Sequence, residues 1–449
     1  MITPPATGRR CRIVKPAFAL SGRWCRIVMP AFALTLLVVG LMLGAERRSN
    51  VKSRIHVRPP LLNESMQEFL VRRGYPFEDH EVLTPDGYIL SLQRIPNPGA
   101  MPVLLVHGNF FDAWAWISGP NERSPGQQLY EAGFDVWLAN NRGTPYGRRH
   151  VTLGEGREVD QNAKFWNWTY STLARNDCPA IVAKVLHETG AERINYVGWS
   201  RGTNQAFIAM QDPALKAYFE RHINIATMIA PVTYSKHTSS LSLQSLAAAR
   251  AFDLLHRVWP YGFLSTDADY KPLNWLVQTV CLATGGAVCE LVKEQMFGPS
   301  PYDDMEVISM GFFSNFPAGT AVKDVQHFMQ GVGSGEARFQ DFDYGSRDNL
   351  AEYGTAAPPR FNLTAIQTPL AFFRGGSTHT LGTHVRENDV YTEIRDHTKM
   401  VQELAPGVLK YDKTFRGFSH CTWAGGNAAS WQMWWPDFLR VLKRDWRAS

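Results

Sequence analysis

The chain has 449 residues, of which 45% are hydrophobic and 19% charged, and its formal charge is +5. That is ordinary globular composition, long enough for a large core with an inserted subdomain. Lys and Arg are scattered except at the N-terminus, which argues against nucleic acid as a partner. Aromatic residues make up 12%, including 14 Trp and 25 Phe, and serve either a core or an apolar substrate.

Residues 27–45 are 19 consecutive uncharged, mainly apolar positions. Arg9, Arg10, Arg12, Lys15, Arg23 and Arg26 precede them, and Glu46, Arg47 and Arg48 follow. A basic flank before a hydrophobic run predicts entry into the secretory pathway, as a cleaved signal or as an uncleaved anchor. Within this region Cys11-Arg12-Ile13-Val14-Lys15-Pro16-Ala17-Phe18-Ala19-Leu20 recurs at residues 25–34 with Met29 for Lys15. It is a short tandem duplication, not a structural repeat, since neither copy could bury a face of its own. Three sequons, at Asn63, Asn167 and Asn362, fit a luminal or secreted glycoprotein. Of six cysteines, Cys281 and Cys289 are close enough to bridge, whereas Cys178 and Cys421 read as buried free thiols. No spacing suits a metal site.

From residue 77 the pattern alternates like a hairpin: a strand at 81–83, a Pro85-Asp86-Gly87 turn, then a strand at 88–95. Strands follow at 103–106, 134–138, 194–197, 223–229, 370–373 and 409–415, separated by helical or mixed stretches. Short apolar runs alternating with helices predict a mainly parallel sheet covered on both faces, an α/β fold. Between residues 232 and 358 the alternation breaks into helical segments and a Pro-, Gly- and aromatic-rich tail. That stretch reads as a cap or lid, with Trp259, Trp275, Phe312, Phe313 and Phe316 either lining an apolar pocket or packing the cap itself. The division expected is therefore 1–45 targeting region, 46–231 core, 232–358 cap, and 359–449 core again.

Gly198-Trp199-Ser200-Arg201-Gly202 lies between the strand at 194–197 and a helical run from Thr203. Such a G-x-S-x-G is a nucleophile elbow, in which a sharp strained turn lifts the serine hydroxyl above the sheet. Serine needs a base to take its proton and an acid to hold that base. In α/β hydrolases the order is Ser, Asp or Glu, His. Of 13 histidines, His420 alone follows the last strand and precedes a terminal helix, so it is the base. The acid belongs after the strand at 370–373, where Glu387 and Asp389 come first; capping a helix that begins there is the other account of Asp389. The turn His107-Gly108-Asn109-Phe110 suits an oxyanion hole built from the backbone N–H groups of Asn109 and Arg201.

With these residues in place, the chain resembles the acid lipase family of gastric and lysosomal lipases, over residues 74–442. The matching segments are Pro85-Asp86-Gly87-Tyr88, His107-Gly108, Asp135-Val136-Trp137-Leu138, Asn141-Arg142-Gly143, Phe165-Trp166, Asn315-Phe316-Pro317-Ala318-Gly319-Thr320, Pro358-Pro359-Arg360-Phe361-Asn362-Leu363-Thr364 and Gly375-Gly376. The resemblance implies an alpha/beta-hydrolase fold with an inserted cap. It also implies a lipid ester substrate, triacylglycerol or cholesteryl ester, met at a membrane or lipid-droplet surface, with no metal or organic cofactor. The chain departs from the family in four places. The elbow carries Trp199 and Arg201 where the family reads G-H-S-Q-G, which could reshape the acyl pocket or offer an anionic-group contact. Asn109 stands where the family has Leu. Thr378 holds the place of the family's G-G-x-D acid, so the spacing to His420 assigns the acid to Asp389, with Glu387 in reserve. Thr422 replaces the Asp usual two residues after the histidine. The readings that follow are a lipase using Ser200, His420 and Asp389, a short-chain carboxylesterase, or a silent hydrolase-fold protein that binds lipid or a partner.

Overall fold

The computed structural model describes residues 64–264, 287–310, 315–377 and 388–446. The apolar segment at 27–45, the tandem duplication, Asn63, Trp275, Cys281, Phe312, Phe313, Thr378 and Glu387 lie outside them. Among the described residues no helix is long and apolar enough to cross a membrane. Asn167 and Asn362 are exposed, Cys178 and Cys421 are buried free thiols, and Cys289 is disulfide-bonded.

Among the described residues twelve strands form in chain order. They are β1 Glu78–Leu83, β2 Tyr88–Ile95, β3 Pro102–Val106, β4 Asp135–Ala139, β5 Arg149–His150, β6 Gly154–Glu155, β7 Ile194–Trp199, β8 Ile223–Ile229, β9 Gly262–Phe263, β10 Thr320–Ala321, β11 Leu370–Gly376 and β12 Leu409–Arg416. β9 and β10 make a separate two-stranded ribbon, and the other ten share one sheet. Its spatial order is β12-β11-β8-β7-β3-β4-β2-β5-β6, with β1 paired to β2. The six strands from β4 to β12 run parallel, while β2 enters antiparallel beside β4. This is the α/β-hydrolase fold.

The central strands are buried throughout and mainly apolar because both faces are covered. Alternate side chains feed two separate cores. Val103, Leu105, Val136, Leu138, Val197, Ile225 and Phe373 enter one, with Trp434 and Phe438 of the terminal helix Ala428–Lys443. Leu104, Val106, Trp137, Tyr196, Met228 and Phe372 enter the other, with Val182 and Phe207 from the helices Cys178–Thr189 and Arg201–Gln211. Two motif segments far apart in sequence meet beneath the sheet's edge. The buried Arg142 guanidinium donates to both carboxylate oxygens of Asp86, at 2.6 and 2.8 Å, and to Asp177 at 2.7 Å.

Candidate active site

β7 runs out of the central sheet into Ser200, the residue before the helix Arg201–Gln211. Its φ of 53° and ψ of −114° are strained for a residue with a side chain. The turn is held because Ser200 N–H donates to the Ile229 carbonyl at 3.1 Å and the Ser200 carbonyl accepts from Thr203 N–H at 2.8 Å. Room for it comes from glycine: a Cβ on Gly202 would stand 2.5 Å from the Val106 carbonyl oxygen. The elbow therefore packs directly on the end of β3, where His107-Gly108-Asn109 begins. A Cβ on Gly108 would lie 3.2 Å from that of Ser200, which places the turn beside the serine.

His420 comes from the loop after β12 and Asp389 from the segment after β11. Both are buried, and His420 Nδ1 donates to the two Asp389 oxygens at 3.0 and 3.1 Å. With Nδ1 carrying the proton, Nε2 is left with its lone pair and can act as a base. Asp389 does not cap the following helix. That helix is Ile394–Glu403, and Glu393 caps it. Instead Asp389 Oδ1 accepts from the backbone N–H groups of Tyr391 and Thr392, at 3.0 and 3.3 Å, which fixes the carboxylate in a turn. Gly375 lets the two loops converge, since a Cβ there would lie 2.6 Å from the Phe418 carbonyl oxygen and 3.2 Å from the Asp389 Cβ.

Trp199 is buried, and its indole N–H donates to the His420 carbonyl at 3.1 Å. Its ring packs against Phe111 and Trp116, so the elbow's aromatic departure braces the histidine loop. Phe297 lies parallel to the His420 ring at 6.3 Å and packs edge-on against Phe316, which in turn packs at a tilt against Phe111. An apolar wall thus adjoins the histidine. His107 is also buried: Nδ1 donates to the Gly108 carbonyl at 2.8 Å and Nε2 accepts from Asn141 N–H at 3.1 Å. Burial, with the Arg201 charge second, pulls its pKa down to about 3, so it stays neutral and structural.

The fold's family model, described as the alpha/beta hydrolase fold, matches residues 101–254. A second, described as a partial alpha/beta-hydrolase lipase region, matches residues 66–120. Lipase member M of Homo sapiens is 33% identical over 325 residues, spanning 70% of this chain and 73% of that protein. Gastric triacylglycerol lipase of Homo sapiens is 32% identical over 342 residues, or 72% of this chain and 80% of that one. Triacylglycerol lipase 2 of Arabidopsis thaliana is 33% identical over 324 residues, covering 68% and 72%. The chain belongs to the acid lipase family. It is a carboxylic ester hydrolase of the serine type.

Two features of this acid lipase site were not readable beforehand. Lys293 and Asp303, both buried, pair at 2.7 Å from the insertion between β8 and β11. Asp303 also accepts from the hydroxyls of Ser419, at 2.9 Å, and Thr422, at 2.5 Å, on either side of His420. A carboxylate distant in sequence thus binds the hydroxyl of Thr422, the residue that stands in place of Asp. The second feature is Arg201. Its guanidinium pairs with the buried Asp324 at 3.0 Å. Burial raises the pKa of Asp324, with the Arg201 charge opposing it.

Proposed function

We propose that the chain hydrolyses carboxylic esters of lipids, triacylglycerol or cholesteryl ester, through an acyl-enzyme formed on Ser200. His420 Nε2 takes the Ser200 proton as the hydroxyl attacks the ester carbonyl, then gives it to the leaving alcohol. Asp389 holds the imidazole in the Nδ1–H tautomer and stabilises its charged form. The backbone N–H groups of Asn109 and Arg201 receive the oxyanion; Arg201 stands in the first turn of its helix, where N–H groups have no intrahelical acceptor. Water then attacks the acyl-enzyme, with His420 as base once more. The observation that carries this reading is the buried His420–Asp389 hydrogen bond, together with the strained backbone of Ser200 at the elbow.

In this reading residues 46–231 and 359–449 form the catalytic core, and residues 232–358 cap it. The substrate is met at a membrane or lipid-droplet surface, within the secretory pathway, and the protein acts as a secreted or lysosomal enzyme. The names of the gastric relative and the triacylglycerol lipases support the substrate class.

Labelling with a fluorophosphonate tests the reading. Wild type takes the label, Ser200→Ala does not, and Asp389→Asn lowers kcat by about 10³- to 10⁴-fold because the imidazole loses its orienting acceptor. A folded wild type that takes no label, even with detergent or lipid present, would overturn it and leave a lipid-binding protein. Activity on emulsified esters well above that on dissolved ones separates a lipase from a short-chain carboxylesterase.

A further inference from the structure

Two departures from the family pattern, Asn109 in the oxyanion turn and Arg201 in the elbow, touch each other. A single guanidinium nitrogen, Arg201 Nη1, donates to Asn109 Oδ1 at 2.8 Å, Thr320 Oγ1 at 3.0 Å and Asp324 Oδ2 at 3.0 Å. Thr320 Oγ1 itself donates to Asp324 Oδ2 at 3.0 Å. Asn109 Oδ1 also accepts from the Phe110 N–H at 3.0 Å, which pins the turn's own backbone. The Phe110 carbonyl in turn accepts from the Ala318 N–H at 2.7 Å. Arg201, Thr320 and Asp324 are all buried.

We propose that the Arg201 side chain is a positioning residue, which locks the two oxyanion-hole backbones to each other and anchors both on the cap through Asp324 and Thr320. The proposal rests on the assignment of the Asn109 and Arg201 N–H groups as oxyanion donors. The physical reason is geometric. Those donors belong to two loops, one after β3 and one after β7, and they stabilise a developing oxyanion only if their separation is fixed before the reaction. A Leu at position 109 has no acceptor for such a bridge; here a charge-assisted bond in a buried site supplies it. The guanidinium's Nε and Nη2 and the Asp324 Oδ1 are buried without hydrogen-bond partners. The lock therefore depends on the one nitrogen that touches all three acceptors, and loss of Asp324 would leave a buried cation unpaired.

The test is a double-mutant cycle on Asn109→Leu and Arg201→Gln, read as kcat and KM for a dissolved p-nitrophenyl butyrate and as the rate of fluorophosphonate labelling. Each single variant is expected to lower kcat and the labelling rate by about 10- to 100-fold, with KM nearly unchanged, since the backbone donors remain but lose their fixed spacing. The double variant is expected to lose no more than the weaker single variant, because both substitutions remove one interaction. Losses that multiply, or a kcat of wild-type size in Arg201→Gln, would overturn the proposal. Should Arg201→Gln fail to fold with Asp324 unpaired, Arg201→Gln/Asp324→Asn removes both charges at nearly constant volume and is read in the same way. Ser200→Ala separates the two levels. If it still labels, the oxyanion and nucleophile assignments fail; if it does not label and the cycle is additive, only the lock fails.

Discussion

Asp112 lies two residues beyond the proposed oxyanion turn, buried, with its carboxylate accepting from the Trp114 N–H at 3.0 Å at the head of a short turn of helix. Burial pushes its pKa up to about 7 from 3.8. The folded state thus keeps a proton that the unfolded chain releases above pH 3.8. Its contribution to stability is fully present below that pH and is lost as pH rises through about 7. His107 acts in the opposite sense: its pKa falls from 6.5 to about 3, so its contribution is present above 6.5 and is lost as pH falls towards 3. Asp112→Asn isolates the first effect. The difference in Tm, variant minus wild type, is expected to grow as pH is raised from 4 to 8, measured by thermal unfolding in buffers of equal ionic strength. A difference that stays flat would mean that Asp112 does not hold its proton in the folded state. Ser200 and His420 stand out in the sequence because a motif and a place in chain order mark them. Asp112 and Asp324 are marked by nothing but burial, which the sequence does not display.

The elements that carry the site meet at their carboxyl ends, and small clearances there decide the geometry. β11 ends at Gly375-Gly376, with the Asp389 turn on one side and the Phe418 carbonyl on the other. Gly375→Ala would place a methyl 2.6 Å from that carbonyl, a backbone atom that cannot swing aside. The variant is expected to spread the Asp389 and His420 loops, lowering kcat by about 100-fold and costing about 1–3 kcal/mol in urea unfolding. An unchanged kcat would show that the loops tolerate separation. On the other side of the histidine, the helix Ala287–Phe297 supplies both the Phe297 ring parallel to His420 and the ammonium of Lys293. Burial lowers the Lys293 pKa, but Asp303 outweighs it and the net shift is upward, so the ammonium keeps its charge. Lys293→Met leaves Asp303 facing only two hydroxyls and is expected to cost about 3–5 kcal/mol of stability. Its labelling rate should fall as well, because the same carboxylate holds Ser419 and Thr422. These element ends were foreseen where a strand led into a named motif. The bracing by Lys293 and Asp303 was not, since neither residue has a spacing that points to a loop more than a hundred positions away.

Across the whole molecule, the sheet divides the interior into two cores whose membership alternates along every central strand. Phe373 shows what that alternation is worth. It is fully buried, parallel to Phe415 and edge-on to Trp434 and Phe438, and so ties β11 and β12 to the terminal helix. Phe373→Ala is expected to cost about 3–5 kcal/mol in denaturant unfolding while leaving the chemistry of the folded fraction intact. Loss of labelling in proportion to unfolding, and no further, is the check. The strand runs at 103–106, 194–197, 223–229 and 370–373 were readable because a strand buried on both faces is apolar at consecutive positions, a local property of the chain. The elbow was readable for the same reason, because its glycines and serine are contiguous. The sequence by itself therefore determined the parallel sheet and the family, and it singled out Ser200 and His420 as the proposed nucleophile and base. Only the tertiary structure decided that Asp389 reaches His420 rather than capping a helix, that Arg201 spends its charge on Asp324 and Asn109, and that Asp303 serves the histidine loop. Those are contacts between segments distant in the chain, and burial and the close approach of backbones set them, which no local pattern of residues encodes.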